Sequence, residues 1–501
     1  MICRRLAYGL LALTLVACRP ATGAEPLAEV DAYAAKAMAD WQVPGMAIAV
    51  VKDDQVLLAK GYGVRKLGED QPVDSQTLFA IGSTSKAFTA AVLAILIDEQ
   101  KLAWDDAAIR HLPNLVFYDP YVTRELTVRD LLCHRSGLAR ADMLWFGSAY
   151  SRDEVLRRLR YLKPSWSFRS HFGYQNIMYL AAGQLAAQVA GQSWDDQIKQ
   201  RLFLPLGMKS SVTSTNDLAA RDNVATPHAK IDDQVQAIAY RNIDNVAPAG
   251  SINSCVDDMC QWLRLQLGQG VYAGNRLLSE AAIAEMQAAQ MTTPLDDEMR
   301  QKYPDAHLMA YGLGWFLHDY HGRKIVEHGG HIDGMSAQVM LAPEEKLGVV
   351  VLMNSGGSML PRAMAFYLVD QLLGTSSRDW SAYELEQFQK QEAKDKAEKA
   401  KQEAERKTDT KPSLPLPDYA GAYTDELYGD AVVTCEQDKL VLARGPAFVA
   451  DLSHWHYDTF LARFRDRSIE PALVTFSLGA DGRVSMLEWP TLGQYQRQPA
   501  K

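Results

Sequence analysis

The chain has 501 residues, 48% of them hydrophobic and 23% charged, with a formal net charge of -9. That apolar content excludes a disordered chain, and the acidic balance argues against a nucleic-acid partner, which needs a basic face to displace counterions. At about 150 residues per domain the length allows roughly three domains.

Residues 1–24 read as an export leader. Arg4 and Arg5 precede an apolar run from Leu6 to Ala17, shorter than the about 20 residues that span a bilayer core. The run ends in Leu15-Val16-Ala17-Cys18, which resembles a bacterial lipoprotein processing box. This predicts lipidation at Cys18 and a protein held on the periplasmic face of a membrane. Ordinary cleavage after Ala24, giving a periplasmic chain, is the alternative.

Gly45 to Lys52 and Gln55 to Gly63, joined by Asp53-Asp54, read as a β-hairpin. Residues 83–100 lack a polar face and predict a helix buried on all sides. Residues 104–250 read as mostly helical. Ser254 and Asp257 form an S-x-x-D capping pattern that places Cys255 and Cys260 on one helix. Five residues of helix rise about 7.5 Å, beyond disulfide reach, so buried free thiols are expected. Val326–Gly330, Ser336–Ala342 and Leu347–Met353 return to strand character. The His318/His321 and His454/His456 pairs lack further ligands nearby, and no metal or organic cofactor is expected.

Residues 384–411 are mostly Lys, Glu, Gln and Ala. Glu386/Lys390, Glu392/Lys396, Asp395/Lys399 and Glu403/Lys407 are spaced as i,i+4 ion pairs. The run is expected to be a solvated helical linker without a docking site, over about 384–412. Beyond it, Ala431–Thr434, Leu440–Ala443, Phe460–Phe464, Leu473–Phe476 and Val484–Trp489 predict a small all-β barrel or sandwich over 413–501.

Three short motifs carry chemistry. Ser83-Thr84-Ser85-Lys86 is an S-x-x-K at the start of the buried helix. Its spacing puts the serine hydroxyl and the lysine amine on one face. A lysine becomes a base for that hydroxyl if burial lowers its pKa from about 10.4 toward 7, a shift of about 4 kcal/mol. Tyr174-Gln175-Asn176 is a Y-x-N. The phenol can move a proton to a leaving group, and the amide can bind a substrate carbonyl. His328-Gly329-Gly330 lies on the predicted strand Ile325–Gly330. Its glycines admit substrate to the backbone, and the following N–H, of His331, can join that of Ser83 in holding an oxyanion.

In this order the motifs strongly resemble those of the serine β-lactamase-related hydrolases: class C β-lactamases, D-Ala-D-Ala carboxypeptidases, D-aminopeptidases and related esterases. Thr127 through Leu138, Pro205-Leu206-Gly207-Met208, Gly312-Leu313-Gly314-Trp315 and His328 through Gly334 extend the likeness. The resemblance implies an α/β (α+β) fold over about 28–380, an antiparallel sheet flanked by helices with an inserted all-α subdomain. It implies Ser83 as acylated nucleophile, Lys86 as its base and Tyr174 as the second acid/base group. Asn176, His328, Gly330 and His331 are then substrate or oxyanion contacts. The β-lactamases have K-T-G where this chain has His328-Gly329-Gly330, and a neutral histidine removes a fixed charge for a substrate carboxylate. Ester or D-peptide substrates are expected before β-lactams. The alternatives are a β-lactamase or a slowly deacylating penicillin-binding receptor that senses peptidoglycan fragments. Tyr419 through Tyr423 and His454 through Phe460 make the C-terminal part resemble a lipocalin-like barrel, which leaves capping of the cleft or formation of an oligomer open.

Overall fold

The computed structural model describes residues 27–375, 378–490 and 492–499. Residues 1–24, expected to be a leader, and with them Cys18, lie outside the described residues. Among those described, no helix is long and apolar enough to cross a membrane.

The chain folds as a mixed helix-and-strand unit followed by a closed β-barrel. The strands of the first unit are β1 (Gly45–Lys52), β2 (Gln55–Gly63), β3 (Met291–Thr292), β4 (Met309–Tyr311), β5 (Phe316–Tyr320), β6 (Arg323–Ile332), β7 (Met335–Ala342) and β8 (Leu347–Met353). They form one antiparallel sheet in the order β2-β1-β8-β7-β6-β5-β4-β3. The hairpin thus pairs with the last strand, Met46 opposite Met353 through Lys52 opposite Leu347. The two ends of the unit share a sheet, and the helices encoded between them lie beside it. Strands β7 and β8 are buried at every residue, because helices cover both faces.

On one face lie α1 (Val30–Trp41) and the late helix Leu360–Leu373. On the other lies α2 (Ser85–Asp98), in which twelve of fourteen residues are buried. Its alanines let neighbours approach closely, and Phe88 stacks on Trp262 at 3.9 Å. Two boundaries differ from the sequence reading. The α-helix begins at Ser85, and Ser83 sits on a preceding 3-10 turn, Gly82–Thr84. Likewise Cys255, not Ser254, is the N-cap of the helix Val256–Leu267, because Ser254 is engaged in a short strand with Phe79. Cys133, Cys255 and Cys260 are free and buried.

The charged run is helical and exposed over most of 389–405, as expected of a solvated spacer, but its start is anchored. The helix Trp380–Ala404 begins inside the protein. Trp380 stacks on Phe366 at 4.7 Å, its indole N–H donates to Asp370 at 2.7 Å, and buried Glu384 pairs with Lys302. Of the four expected pairs only Glu386–Lys390 is found among the described residues. Glu392 meets Lys230, Lys396 meets Asp233 and Lys399 meets Glu470, since tertiary partners lie within reach. The last eight strands then close as an antiparallel barrel, Tyr423 pairing with Arg497. Tyr419, Phe448, Phe460, Phe476 and Trp489 fill its interior.

Candidate active site

The centre of the site is a buried lysine amine with three oxygen partners. Lys86 is fully buried. Its Nζ lies 2.9 Å from Ser83 Oγ, 2.8 Å from Asn176 Oδ1 and 2.8 Å from the Ala249 carbonyl. The last two atoms are acceptors only, whereas the Ser83 hydroxyl can accept from Lys86 or donate to it. When the amine is neutral, two N–H groups suffice for the fixed acceptors and the nitrogen lone pair is free to face the Ser83 hydroxyl. Burial holds the Lys86 pKa well below the usual lysine value; Arg140 adds to this and Asp142 opposes it.

Tyr174 and Asn176 come from the turn that leads into the helix Asn176–Ala190, whose N-cap Gln175 accepts from Ile177 N–H. Lys86 Nζ stands 4.9 Å from the Tyr174 ring centroid. Burial raises the Tyr174 pKa, against the effect of the neighbouring Ser83 hydroxyl, so the phenol keeps its proton at neutral pH. Asn176 lies against the lysine. Its Oδ1 accepts from Lys86 and its Nδ2 donates to Asp142 at 2.8 Å, so it holds the lysine amine while lining the cleft.

On β6, His328 is held within the protein. Its Nδ1 lies 2.6 Å from the Gly329 carbonyl and must carry the hydrogen, so Nε2 accepts from the Tyr311 hydroxyl at 3.0 Å. Burial, then repulsion by Lys86, pushes its pKa down to about 3. The ring is neutral and both nitrogens are engaged within the protein. What the strand offers is backbone. A Cβ on Gly330 would stand 1.9 Å from the Ile81 carbonyl and 3.3 Å from Ser83 N, and one on Gly82 would stand 2.7 Å from His331 N. The Gly82–Thr84 turn and the Gly330-His331 backbone therefore lie against each other, and Ser83 and His331 both line the cleft. The His331 side chain is exposed, with Nδ1 3.2 Å from Ser336 Oγ.

Several residues went unread in the sequence. His134 brackets Tyr174: its carbonyl accepts from Gly173 N–H at 2.8 Å, its Nδ1 from Gln175 N–H at 3.1 Å, and its ring lies 4.2 Å from the Tyr174 ring. It holds φ of 58°, a strained value for a residue with a side chain. Arg140 and Asp142, joined at 2.7 Å, lie at the cleft mouth. His134 was visible within the Thr127–Leu138 segment, but nothing local marked it or the other two as neighbours of Lys86. Two cavities meet at Ser83, of about 440 and 540 Å³. The first is lined in part by Ser468, from the barrel.

The Beta-lactamase family profile matches residues 30–373, and a second profile, a domain of unknown function (DUF3471), matches 405–500. The chain belongs to the Beta-lactamase family. It is 28% identical to an unguisins hydrolase of Aspergillus campestris, over 94% of this chain and 91% of that one. It is 29% identical to penicillin-binding protein 4 of Amycolatopsis lactamdurans, over 63% of this chain and 81% of that one. Among solved structures, an octameric penicillin-binding protein homologue from Pyrococcus abyssi superposes with a TM-score of 0.60 at 21% identity, over 94% of this chain and 99% of that one. A class C β-lactamase from Rhodobacter sphaeroides does so with a TM-score of 0.56 at 22% identity, over 68% of this chain and 99% of that one. These two likenesses concern the fold.

Proposed function

We propose that the protein cleaves an ester or amide bond through an acyl-enzyme on Ser83, with short peptides containing D-residues or small esters as substrates. The observation that carries this is the Lys86 environment, two fixed acceptors and one hydroxyl around a buried amine. Lys86 takes the Ser83 proton as Oγ bonds to the substrate carbonyl carbon. The amides of Ser83 and His331 hold the resulting oxyanion. As the tetrahedral species collapses, the bond to the leaving group breaks and Tyr174 protonates that group, its own proton being replaced from Lys86. Water then attacks the acyl carbon, the same groups accept its proton, and Ser83 is released.

Similarity to an unguisins hydrolase along nearly the whole chain supports turnover. Similarity to a penicillin-binding protein supports a second reading, a receptor that stays acylated. p-Nitrophenyl acetate separates the two: continuous release is expected for the hydrolase, a burst of one equivalent for the receptor. Ser83→Ala is expected to lose at least about 10³-fold in rate and the acyl adduct seen by mass spectrometry. Full activity in that variant removes both readings.

A further inference from the structure

The two cavities at Ser83 differ in what they share with the proton donor. Asn176 and Ala249 line the smaller one, and Tyr174 lines the larger. Given the roles proposed above, on which this inference rests, the acyl part of a substrate lies in the smaller cavity. The group that Tyr174 protonates leaves through the larger one.

The larger cavity is apolar along its walls and charged only in compensated form. Met299, Met309, Met359, Phe172 and Phe316 make the walls, a flexible thioether and aromatic surface suited to apolar groups of varied shape. Arg362 reaches this cavity, but its guanidinium grips buried Glu327 through two nitrogens, Nε at 3.2 Å and the closer Nη2. Gln338 Nε2 donates to the same carboxylate at 2.8 Å. The other charges around the cavity are paired too. Arg140 at the mouth is held by Asp142, and Lys302 behind Glu327 is held by Glu384. His328, at the position of the β-lactamase lysine, has no hydrogen to spare.

We propose that this cavity accepts a neutral, apolar leaving group, an alcohol or amine bearing an aliphatic or aromatic side chain and no free carboxylate, and that Glu327 enforces the choice by masking Arg362. A carboxylate entering here meets a cation already neutralised and a fixed negative charge beside it. The substrate class is therefore an ester or amide whose leaving part is blocked or internal to a longer chain.

The test uses one depsipeptide in two forms, N-acetyl-alanyl-phenyllactate as the free acid and as its methylamide, in D and L configurations. The wild-type full chain is expected to cleave the methylamide with at least about tenfold higher kcat/KM. Equal or better cleavage of the acid overturns the proposal. In Glu327→Gln, Arg362 is unmasked and the preference is expected to shrink or invert; an unchanged ratio in folded protein overturns it. If circular dichroism shows that variant unfolded, the double variant Glu327→Gln/Arg362→Met replaces both charges. It is expected to keep the methylamide preference, and a shift toward the acid contradicts the proposal. p-Nitrophenyl acetate is assayed in each preparation. Absent release with no acylation of Ser83 removes the hydrolase reading itself, whereas normal release with acid preference removes only the assignment of this cavity.

Discussion

In the mechanism proposed above, Lys86 acts as a base only when its proton is gone, so the residues that set its charge set the rate. Burial is the larger influence and Arg140 the second. The neutral fraction grows as pH rises through the depressed pKa, so kcat/KM climbs on its acid side and reaches its plateau well below pH 10. Stability follows the same sign. Between the folded and unfolded lysine values the unfolded chain binds more protons, and stability rises with pH across that window. Arg140→Gln removes a repulsion, which raises the Lys86 pKa and moves the acid limb of the pH–rate profile to higher pH. A limb that stays in place or moves down contradicts this account. The spacing of Ser83 and Lys86 was legible in the sequence because one helical turn sets it. Ala249 as the second acceptor was not, because that contact spans 163 positions.

At the scale of elements, the site is a strand pressed against a turn. Strand β6 and the Gly82–Thr84 turn approach so closely that only glycine fits at position 330, through steric contact and not through backbone dihedral preference. Gly330→Ala drives a methyl group into the Ile81 carbonyl. The expected cost is about 1–3 kcal/mol of stability and, as β6 moves away from Ser83, about 10²-fold in kcat from the misplaced oxyanion donor. Thermal melting and single-substrate kinetics measure the two. A variant with wild-type kcat places the second donor elsewhere. The hairpin, the buried helix and the last strands could be read from apolar patterning, which is a local property. The anchored start of the charged run could not be read this way, because Trp380 and Glu384 answer to Phe366 and Lys302 across the fold.

Across the whole molecule, the barrel is fastened beside the cleft. Arg241 joins Asp333, on the turn after β6, to Asp466 of the barrel at 2.9 Å, and its guanidinium lies 4.4 Å from the Phe146 ring. Arg444, in the barrel, donates to the Met143 carbonyl at 2.6 Å, and Met143 and Phe146 pack against the barrel core. Met143, Phe146, Asp333 and Ser468 all line the smaller cavity. Arg241→Gln is expected to loosen this wall and raise KM about fivefold, roughly 1 kcal/mol of binding, while kcat stays within about twofold because Ser83, Lys86 and Tyr174 are untouched. A fall in kcat alone places Arg241 in a different role.

The amino-acid sequence alone determined the S-x-x-K spacing, the family resemblance and much of the strand and helix patterning. These are properties of neighbours along the chain, set by periodicities of two and 3.6 residues and by short motifs. Only the tertiary structure decided that His328 is neutral with both nitrogens used, that Asn176 serves Lys86, and that Glu327 covers Arg362. A buried polar atom takes whichever partner the fold leaves within about 3 Å, and that choice is made between segments hundreds of residues apart.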